Sequence, residues 1–322
     1  MRAFVTGGTG FIGSHIVDEL LKRGYEVVVA KRKTSNLAYL QLDKVSLCEI
    51  DFSDTKTLEG KLRDINYIFH IAGAIKAKSK GEFFRHNRDI TVNLVNVARS
   101  EASGLKRFVF VGSLASFGPS SNGYKKESDP CCPITVYGIS KLEGAKAVKD
   151  SGLPYTLFFP PAVYGPRDRS FLGYFRVMKM GIAPVVGSAK RRVSVVYVGN
   201  LAKAVVDAAE KSEAENEDFF VADEGVQSWE SFIKMASSIM GRKVKLIEVP
   251  LPVAVFIGAS ISFFARLFGS PSLIDKEKVK EFACEWICST EKIRELVGFT
   301  PIYTTEEGLR ITINWYKTNG YL

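Results

Sequence analysis

Short apolar runs alternate with amphipathic segments of helical length through the first half of the chain. Six of these runs are rich in β-branched and aromatic residues and predict strands at residues 3–6, 26–30, 45–50, 67–71, 107–112 and 155–159. The segments between them predict helices at residues 13–23, 55–63, 87–103 and 140–151. A strand followed by a helix, repeated along the chain, predicts an α/β fold with a parallel, doubly wound sheet.

The alternation changes after residue 160. A turn-rich stretch over residues 160–184 precedes a predicted strand at 193–198, a predicted helix at 200–211 and a further predicted strand at 219–222. The rest is mostly helical, with an extended piece at 244–249. We therefore expect two interleaved domains. One is a nucleotide-binding domain of residues 1–159 plus 191–222, and the other is a smaller, mostly helical substrate lobe of residues 160–190 plus 223–322.

Composition places the chain among ordinary globular proteins. Its 322 residues are 46% hydrophobic and include 27 Gly and 12 Pro, which excludes disordered, collagen-like and small disulfide-stapled classes. The net charge of +9 is uneven, since residues 1–150 hold 23 Lys and Arg against 16 Asp and Glu. No nucleic-acid-binding motif accompanies this excess. The basic first half therefore favours an anionic cofactor or substrate over a nucleic acid partner.

The five cysteines follow no metal-binding or disulfide pattern. Cys131 and Cys132 are adjacent, and Cys284 and Cys288 are four residues apart with none of the three histidines near them. Such thiols are typical of a reducing compartment, and we expect no metal site. Because the first residues also lack the regions of a signal peptide, we expect a cytoplasmic protein.

One uncharged stretch, residues 249–265, is apolar enough to raise the question of membrane contact. It is 17 residues long and contains Pro250, Pro252 and Gly258. A helix that spans a bilayer needs about 20 apolar residues, so spanning is disfavoured. A buried helix of the substrate lobe is the favoured interpretation, and peripheral contact with a membrane is the alternative.

The strongest local motif is Thr6-Gly7-Gly8-Thr9-Gly10-Phe11-Ile12-Gly13, which follows a predicted strand and opens a predicted helix. Gly7 and Gly10 allow a tight turn and close approach to a pyrophosphate, and Gly13 allows the helix to pack against the strand. The N–H groups at the helix start, including those of Phe11 and Ile12, are donors for the phosphates. The motif therefore predicts a dinucleotide-binding Rossmann domain.

The end of the second predicted strand indicates which dinucleotide binds. An acidic residue there would bind the ribose hydroxyls of NAD, but the chain continues Lys31-Arg32-Lys33-Thr34-Ser35. Lys31 and Arg32 suit a 2′-phosphate, so NADP is the favoured cofactor and NAD the alternative. Asp51 and Phe52, after the third strand, are placed to meet the adenine. Ala72 and Gly73, after the fourth, are placed close to the cofactor.

Three residues form a candidate catalytic group. Tyr137 and Lys141 are four residues apart, so on a helix their side chains share a face. The ammonium of Lys141 is then expected to lower the pKa of the Tyr137 phenol, which could exchange a proton with a substrate hydroxyl near neutral pH. Ser113, at the end of a predicted strand, would bind the same oxygen as it becomes a carbonyl.

The motifs TGGTGFIG, HIAG, VGSLASFG, YGISK and PPAVYGPRD, in this order, resemble the extended short-chain dehydrogenase/reductase family in its NAD-dependent epimerase/dehydratase-type branch. The resemblance covers nearly the whole chain. It implies that Ser113, Tyr137 and Lys141 are the catalytic triad and that Lys141 also binds the nicotinamide ribose. Pro160 and Val163 would border the nicotinamide.

The family resemblance also implies a role for one helix and an oligomeric state. Asn87 and Asn93 match a helix pattern of the family, which places Asn93 among the cofactor-binding residues, and ordinary polar packing is the alternative. The family also implies a homodimer through a helix pair that includes residues 87–103 and 140–151.

Departures from the family pattern reduce the number of reactions that are expected of this chain. Leu114 and Ala115 stand where sugar 4,6-dehydratases have an Asp-Glu pair, which disfavours dehydration. Nucleotide-sugar epimerases commonly have a run of residues that helps to bind the diphosphate, and only a displaced Arg192 or Arg191 remains of it in this chain. In addition, Phe159 stands at a position where the family has an arginine. The lobe is instead rich in apolar side chains, which either form its core or suit a lipophilic alcohol or ketone: Phe171, Tyr174, Phe175, Phe256, Ile257, Phe263, Phe264, Leu267 and Phe268.

The favoured function is an NAD(P)-dependent oxidoreductase that interconverts a secondary alcohol and a ketone of a small-molecule substrate. It resembles the 3β-hydroxysteroid dehydrogenase and dihydroflavonol reductase-like branches. Hydride would move between the nicotinamide and a substrate carbon while Tyr137 relays the proton. A nucleotide-sugar epimerase with tightly bound NAD is the first alternative, and a non-catalytic dinucleotide-binding sensor is the second.

Overall fold

The computed structural model of the chain describes residues 1–121, 123–267 and 276–322. Its strands are β1 (Arg2–Thr6), β2 (Glu26–Lys31), β3 (Val45–Glu49), β4 (Tyr67–His70), β5 (Arg107–Val111), β6 (Tyr155–Phe158), β7 (Ala162–Tyr164), β8 (Ile182–Val186), β9 (Arg192–Val193), β10 (Val195–Tyr197), β11 (Glu217–Phe219), β12 (Gln227–Ser228) and β13 (Lys245–Val249). Its helices are α1 (Phe11–Lys22), α2 (Lys80–Phe84), α3 (Ile90–Glu101), α4 (Val136–Lys149), α5 (Ser170–Lys179), α6 (Val198–Glu210), α7 (Trp229–Met240), α8 (Leu251–Leu267), α9 (Lys276–Phe282), α10 (Glu291–Val297) and α11 (Thr305–Thr318).

A parallel sheet of seven strands forms the centre of the fold, in the spatial order β11-β6-β5-β4-β1-β2-β3. Successive side chains of a strand point to opposite faces, so in β4 Phe69 joins the core under α1 and α6, whereas Ile68 joins the core under α3 and α4. The two helical layers confirm the expected doubly wound α/β fold. Strand order reverses between β1 and β4, where a crevice opens at the carboxyl ends of the strands.

Smaller sheets and helices surround a third core. β10 pairs with β7, β12 with β9, and β13 with β8. Tyr164, Phe175, Phe232 and Tyr316 are fully buried between these elements. The predicted strand at 193–198 is divided into β9 and β10, and both lie outside the large sheet although we expect residues 191–222 in the nucleotide-binding domain.

Three predicted helices differ from the structure, and one of them, expected over 140–151, is observed at Val136–Lys149. The helix expected over 55–63 is only a 3₁₀ turn at Thr55–Leu58, because Gly60 adopts a φ of 72° that ends the helical conformation. The helix expected over 87–103 begins instead at residue 80 and contains a π-helical turn, Arg85–Asp89, between α2 and α3. Such turns widen a helix locally and are frequent at functional sites.

The uncharged stretch 249–265 forms most of α8, but the expectation of a buried helix is wrong. Phe256 is 74% exposed and Ile257 49%, because the small residues Ala254 and Gly258 occupy the side that packs on the protein. Within residues 1–121, 123–267 and 276–322, no helix is long and apolar enough to cross a membrane.

The apolar residues expected to line the substrate lobe have different environments. Phe175 belongs to the core, and Phe171 and Tyr174 pack at its edge. The side chains of Phe263, Phe264 and Leu267, and the whole of Phe268, lie outside the described residues. The lobe core therefore accounts for three of the nine residues, and α8 carries two others outward.

Candidate active site

The glycine turn between β1 and α1 is packed too closely for side chains. Gly7 has a φ of 72°, and a Cβ placed on it would lie 2.6 Å from the backbone nitrogen of Ala72. A Cβ on Gly13 would lie 2.1 Å from the carbonyl oxygen of Gly7. The N–H of Gly10 donates to that same oxygen at 2.9 Å, which closes the turn. The start of α1 at Phe11 is therefore held directly against the turn, with a bare backbone surface beside it.

This surface fits a dinucleotide. The backbone without side chains allows close approach of a pyrophosphate, and the first N–H groups of α1 lack carbonyl partners within the helix. Phe11 and Ile12 are half-buried and pack their side chains into the third core, so their backbones are what they offer to a ligand.

The basic residues at the end of β2 make different contacts. Lys31 forms an ion pair with Glu49 of β3, which lowers the pKa of that carboxyl. Arg32 is exposed, its backbone N–H donates to the Ser35 hydroxyl at 2.9 Å, and no carboxylate of the described residues lies within ion-pair distance of it. The structure thus pairs Lys31 with a neighbouring strand and leaves Arg32 available to an anion.

The loop after β3 is held by a residue of α3. Asn93 donates from its side-chain amide to the carbonyl oxygen of Phe52 at 2.9 Å. Asp51 accepts hydrogen bonds from the backbone and the hydroxyl of Ser53, at 2.9 and 2.6 Å. Asn93 therefore positions the Asp51-Phe52 loop, and its contact with the cofactor stays a prediction.

A buried chain of hydrogen bonds links β1, β4 and α3, and sequence analysis missed it. The N–H of Ala72 donates to Thr6 Oγ1 at 3.3 Å, Thr6 Oγ1 lies 2.6 Å from His70 Nδ1, and His70 Nε2 lies 2.9 Å from Thr91 Oγ1. Thr91 in turn donates to the carbonyl oxygen of residue 87 at 3.0 Å. Burial lowers the pKa of His70 to about 3, so the ring is neutral and carries its proton on Nε2.

Asn87, in the π-helical turn, connects this chain to α4. Its side chain accepts from Ala74 N–H at 2.8 Å and donates to the Ala74 carbonyl at 3.0 Å and to Ser140 Oγ at 2.9 Å. A Cβ on Gly73 would lie 3.0 Å from Lys141 Nζ. The segment after β4 is thereby fixed beside Lys141.

Ser113, Tyr137 and Lys141 come together at the carboxyl end of β5. Ser113 caps a 3₁₀ turn, Leu114–Ser116, and accepts from the N–H of Ala115 at 3.2 Å. A Cβ on Gly138 would lie 2.4 Å from the carbonyl oxygen of Ala115, so only glycine lets the first turn of α4 approach this closely. The approach puts the Ser113 hydroxyl in hydrogen-bonding contact with the Tyr137 phenol.

The pKa shifts of Tyr137 and Lys141 differ from the expectation. Burial raises the pKa of Tyr137 to about 12, although the hydrogen bond from Ser113 acts in the opposite direction. Burial also lowers the pKa of Lys141 to about 8. Lys141 does not lower the phenol pKa as predicted, because its Nζ donates to the carbonyl oxygen of Val111 at 3.0 Å and the cost of burying a phenolate dominates.

Helix α9 adds acidic residues to the site that no local motif of the sequence indicates. Glu281 is buried and accepts from Thr135 Oγ1 at 3.0 Å and from Lys278 Nζ at 2.6 Å. Glu277 accepts from the N–H of Val136 at 2.9 Å. Both carboxylates thus hold the first turn of α4, where backbone N–H groups have no partner within the helix. The Glu281 charge also raises the pKa of Tyr137.

Pro160 and Val163 follow β6 in the chain. The carbonyl oxygen of buried Pro160 accepts from the N–H of Leu114 at 2.9 Å, so this residue is fixed to the turn that carries Ser113. Val163 is half-buried in β7 and packs between the core under α1 and α6 and the third core. The structure thus places Pro160 next to the triad, and the contact of both residues with the nicotinamide stays a prediction.

The arginines expected to remain from a diphosphate clamp are engaged within the protein. Arg192 forms an ion pair with Glu285 at 2.7 Å. Arg191 donates to the carbonyl oxygens of Val186 and Phe282 at 3.0 and 3.1 Å. These contacts tie the two arginines to neighbouring backbone and side-chain groups. In the described part of the chain, no group of His, Cys, Asp and Glu residues could hold a metal ion.

Comparisons with known proteins agree with this arrangement. The model of the NAD dependent epimerase/dehydratase family matches residues 3–222. Ceramide reductase of Caulobacter vibrioides is 26% identical, over 99% of this chain and 95% of its own length. UDP-glucose 4-epimerase of Vibrio cholerae is also 26% identical, over 96% of this chain and 93% of its own. The crystal structure of UDP-glucuronic acid 4-epimerase from Bacillus cereus with NAD superposes with a TM-score of 0.80 at 20% identity, covering 99% of both chains.

Proposed function

Because the chain belongs to the NAD dependent epimerase/dehydratase family, as its motifs indicate, we propose that it is an NAD(P)-dependent reductase that interconverts a ketone and a secondary alcohol on a lipophilic substrate. The observation that carries the proposal is the convergence of Ser113, Tyr137 and Lys141 at the carboxyl end of β5. Next to them, the bare glycine turn fits a dinucleotide.

The proposed roles follow from the protonation states. A nicotinamide, when bound, supplies or accepts the hydride. Ser113 and Tyr137 donate hydrogen bonds to the ketone oxygen. Because the pKa of Tyr137 is about 12, the phenol is protonated at neutral pH and donates its proton to the oxygen as negative charge develops there. Lys141, whose pKa of about 8 keeps it largely cationic at neutral pH, donates to the Val111 carbonyl oxygen and would also bind the nicotinamide ribose.

The proposed cofactor site uses the backbone around the turn. Gly7, Gly10 and Gly13, with the N–H groups of Phe11 and Ile12, would hold the pyrophosphate. The other proposed contacts are with Ala72, Gly73 and Lys141 near the ribose, with Asp51 and Phe52 on the loop held by Asn93, and with Pro160 and Val163 beside the nicotinamide.

We expect Arg32→Asp to weaken NADPH binding by about 10- to 100-fold, since it removes a charge-assisted bond to the 2′-phosphate. NADH binding should change little or improve. Fluorescence titration of the purified protein with both dinucleotides measures this. Lys33→Asp, one residue further along the exposed loop, is the matched control for the loss of a nearby cation. Equal binding of NADPH and NADH by the unmodified protein would favour NAD as the cofactor.

The proposed substrate is a long-chain lipid ketone. A relative named ceramide reductase aligns with 99% of this chain, and Arg192, at the position left from a diphosphate clamp, is paired with Glu285. The test incubates the protein with NADPH and either a 3-keto long-chain lipid or UDP-sugars. We expect consumption of NADPH with the lipid alone.

A nucleotide-sugar epimerase remains the second candidate because of the match to UDP-glucose 4-epimerase. An epimerase would purify with tightly bound NAD and interconvert UDP-sugars with no net consumption of dinucleotide. That outcome, with no activity toward the lipid ketone, would replace the reductase proposal.

Glu281→Gln tests the contribution of α9 to the chemistry. The amide can still accept the Thr135 hydrogen bond, but it removes the charge that raises the pKa of Tyr137. Oxidation of the alcohol requires the phenolate, so its rate rises with pH, and we expect this rise to move to lower pH in the variant. Glu277→Gln is the matched control, because Glu277 binds the backbone of α4 without acting on the phenol. An identical shift in both variants would contradict a charge effect.

The proposed assembly is a homodimer in the cytoplasm. α3 and α4 pack on each other, and Arg88 and Glu143 form an ion pair between the π-helical turn and α4 at 3.1 Å, which makes these helices one rigid surface. All five cysteines lie in the described residues and are free thiols, as expected in a reducing compartment. Light scattering of the purified protein measures the mass of the assembly.

A further inference from the structure

In the described part of helix α8, several large apolar side chains are exposed to solvent. Four of them share one face at helical spacing and are between 44% and 74% exposed: Val253, Phe256, Ile257 and Ile261. The opposite side carries the buried small residues Ala254 and Gly258. A helix on a globular protein normally buries its large apolar side chains and exposes polar ones. The four residues, called here the α8 face, reverse this order and mark an interaction surface.

Exposed basic side chains precede α8 in the chain. Arg242, Lys243 and Lys245 are exposed in the segment that leads through β13 into α8. The N–H of Lys245 donates to the carbonyl oxygen of Gly181 at 2.8 Å, which brings the end of α5, with exposed Lys179, to the start of β13. Residues 249–265 themselves carry no charge. The uncharged apolar strip of α8 thus follows directly on a segment that carries exposed cations.

We propose that the α8 face docks on an anionic phospholipid surface, with α8 lying in the interfacial region rather than crossing the bilayer. Large apolar side chains enter the boundary between headgroups and acyl chains, and nearby cations attract anionic headgroups. A second copy of this chain is a poorer occupant, because a two-fold contact through α8 would bring the cations of both copies together.

Docking in this way orients the candidate site. α8 packs against α9, and Lys278 of α9 has its Nζ 5.9 Å from the ring centroid of Tyr137. The α9 side of the site would therefore adjoin the membrane, where a lipophilic ketone is dissolved. This consequence for substrate access rests on the proposed function, whereas the docking itself does not.

Vesicle binding by the full chain tests the proposal. We expect co-sedimentation with vesicles of phosphatidylcholine and phosphatidylglycerol, weaker binding to pure phosphatidylcholine, and weaker binding at high salt. The double variant Phe256→Ser/Ile257→Ser should lose about tenfold or more in vesicle affinity. Leu42→Ser/Ile302→Ser is the matched control, because it removes two exposed apolar side chains outside α8.

A second measurement follows the helix directly. Phe256→Trp should give a blue-shifted emission, relative to the unmodified protein, when anionic vesicles are added. No vesicle binding, or equal loss in the α8 and control double variants, would overturn the proposal. So would a dimer that dissociates in Phe256→Ser/Ile257→Ser without lipid binding, since α8 would then join two copies. Because vesicle binding needs no turnover, its failure and failure of the reductase assay are independent results.

Discussion

Replacing Tyr137 with phenylalanine is expected to lower kcat by about 10²- to 10⁴-fold, the usual contribution of a positioned proton donor. The phenol is the group with a labile proton that Ser113 contacts at the carboxyl end of β5, and the variant keeps the ring and its packing near Phe83, whose ring centroid is 6.2 Å away. Ketone-dependent oxidation of NADPH measures the loss, and dinucleotide titration should be unchanged.

The control for this prediction is Tyr124→Phe, which removes a hydroxyl from an exposed tyrosine outside the site. It should keep full activity. If Tyr137→Phe retained most of its turnover, the triad would not be the catalytic group. If the unmodified protein bound the dinucleotide but turned over no substrate, the dinucleotide-binding sensor would become the better account of the chain.

Gly13→Ala is expected to abolish dinucleotide binding and to destabilise the protein by about 3 kcal/mol, within the range for overpacked sites. The added Cβ would lie 2.1 Å from the carbonyl oxygen of Gly7, which is backbone and also accepts from Gly10. Neither group can move without opening the turn. Chemical denaturation measures the stability, and fluorescence titration measures the binding.

A second helical glycine offers a matched control. Gly173 in α5 has no atom within 4 Å of the position of an added Cβ. Gly173→Ala should therefore stabilise the protein by about 0.5–1 kcal/mol through the lower entropy of the unfolded chain, and leave dinucleotide binding intact. Opposite signs for the two Gly→Ala changes are the expected result. A loss of the same size at both positions would contradict the close approach at Gly13 as the cause, because Ala favours a helix more than Gly does.

The elements of the large sheet were accessible to sequence reasoning because their signals are local. The six strands predicted within residues 1–160 each match an observed strand to within one residue at both ends, whereas the strand predicted at 219–222 is observed at Glu217–Phe219. Strands of a parallel sheet are covered on both faces, so they are continuous apolar runs that periodicity detects. The helix over 55–63 failed because Gly60 lies within it, and one residue with a left-handed φ ends a helix.

The exposure of the apolar side chains of α8 could not be predicted from the sequence of that segment. The sequence of residues 249–265 indicates an apolar helix, but the same letters suit a buried helix and an exposed one. Which side packs on the protein depends on what lies opposite, and in the fold it is the Ala254 and Gly258 side that is covered. Burial of a helix face is a property of its neighbours, which the segment itself does not encode.

By itself the sequence determined the fold class, the family, the glycine turn and the position of Tyr137 and Lys141 on one helix, because each depends on residues close together along the chain. Only the tertiary structure decided that burial governs the phenol pKa, that Arg192 is paired with Glu285, and that Glu281 holds the first turn of α4. Those partners are 93 residues apart for Arg192 and Glu285, and 146 for Thr135 and Glu281. Contacts at such separations are made by the packing of one element on another, and charge and desolvation act across that packing rather than along the chain.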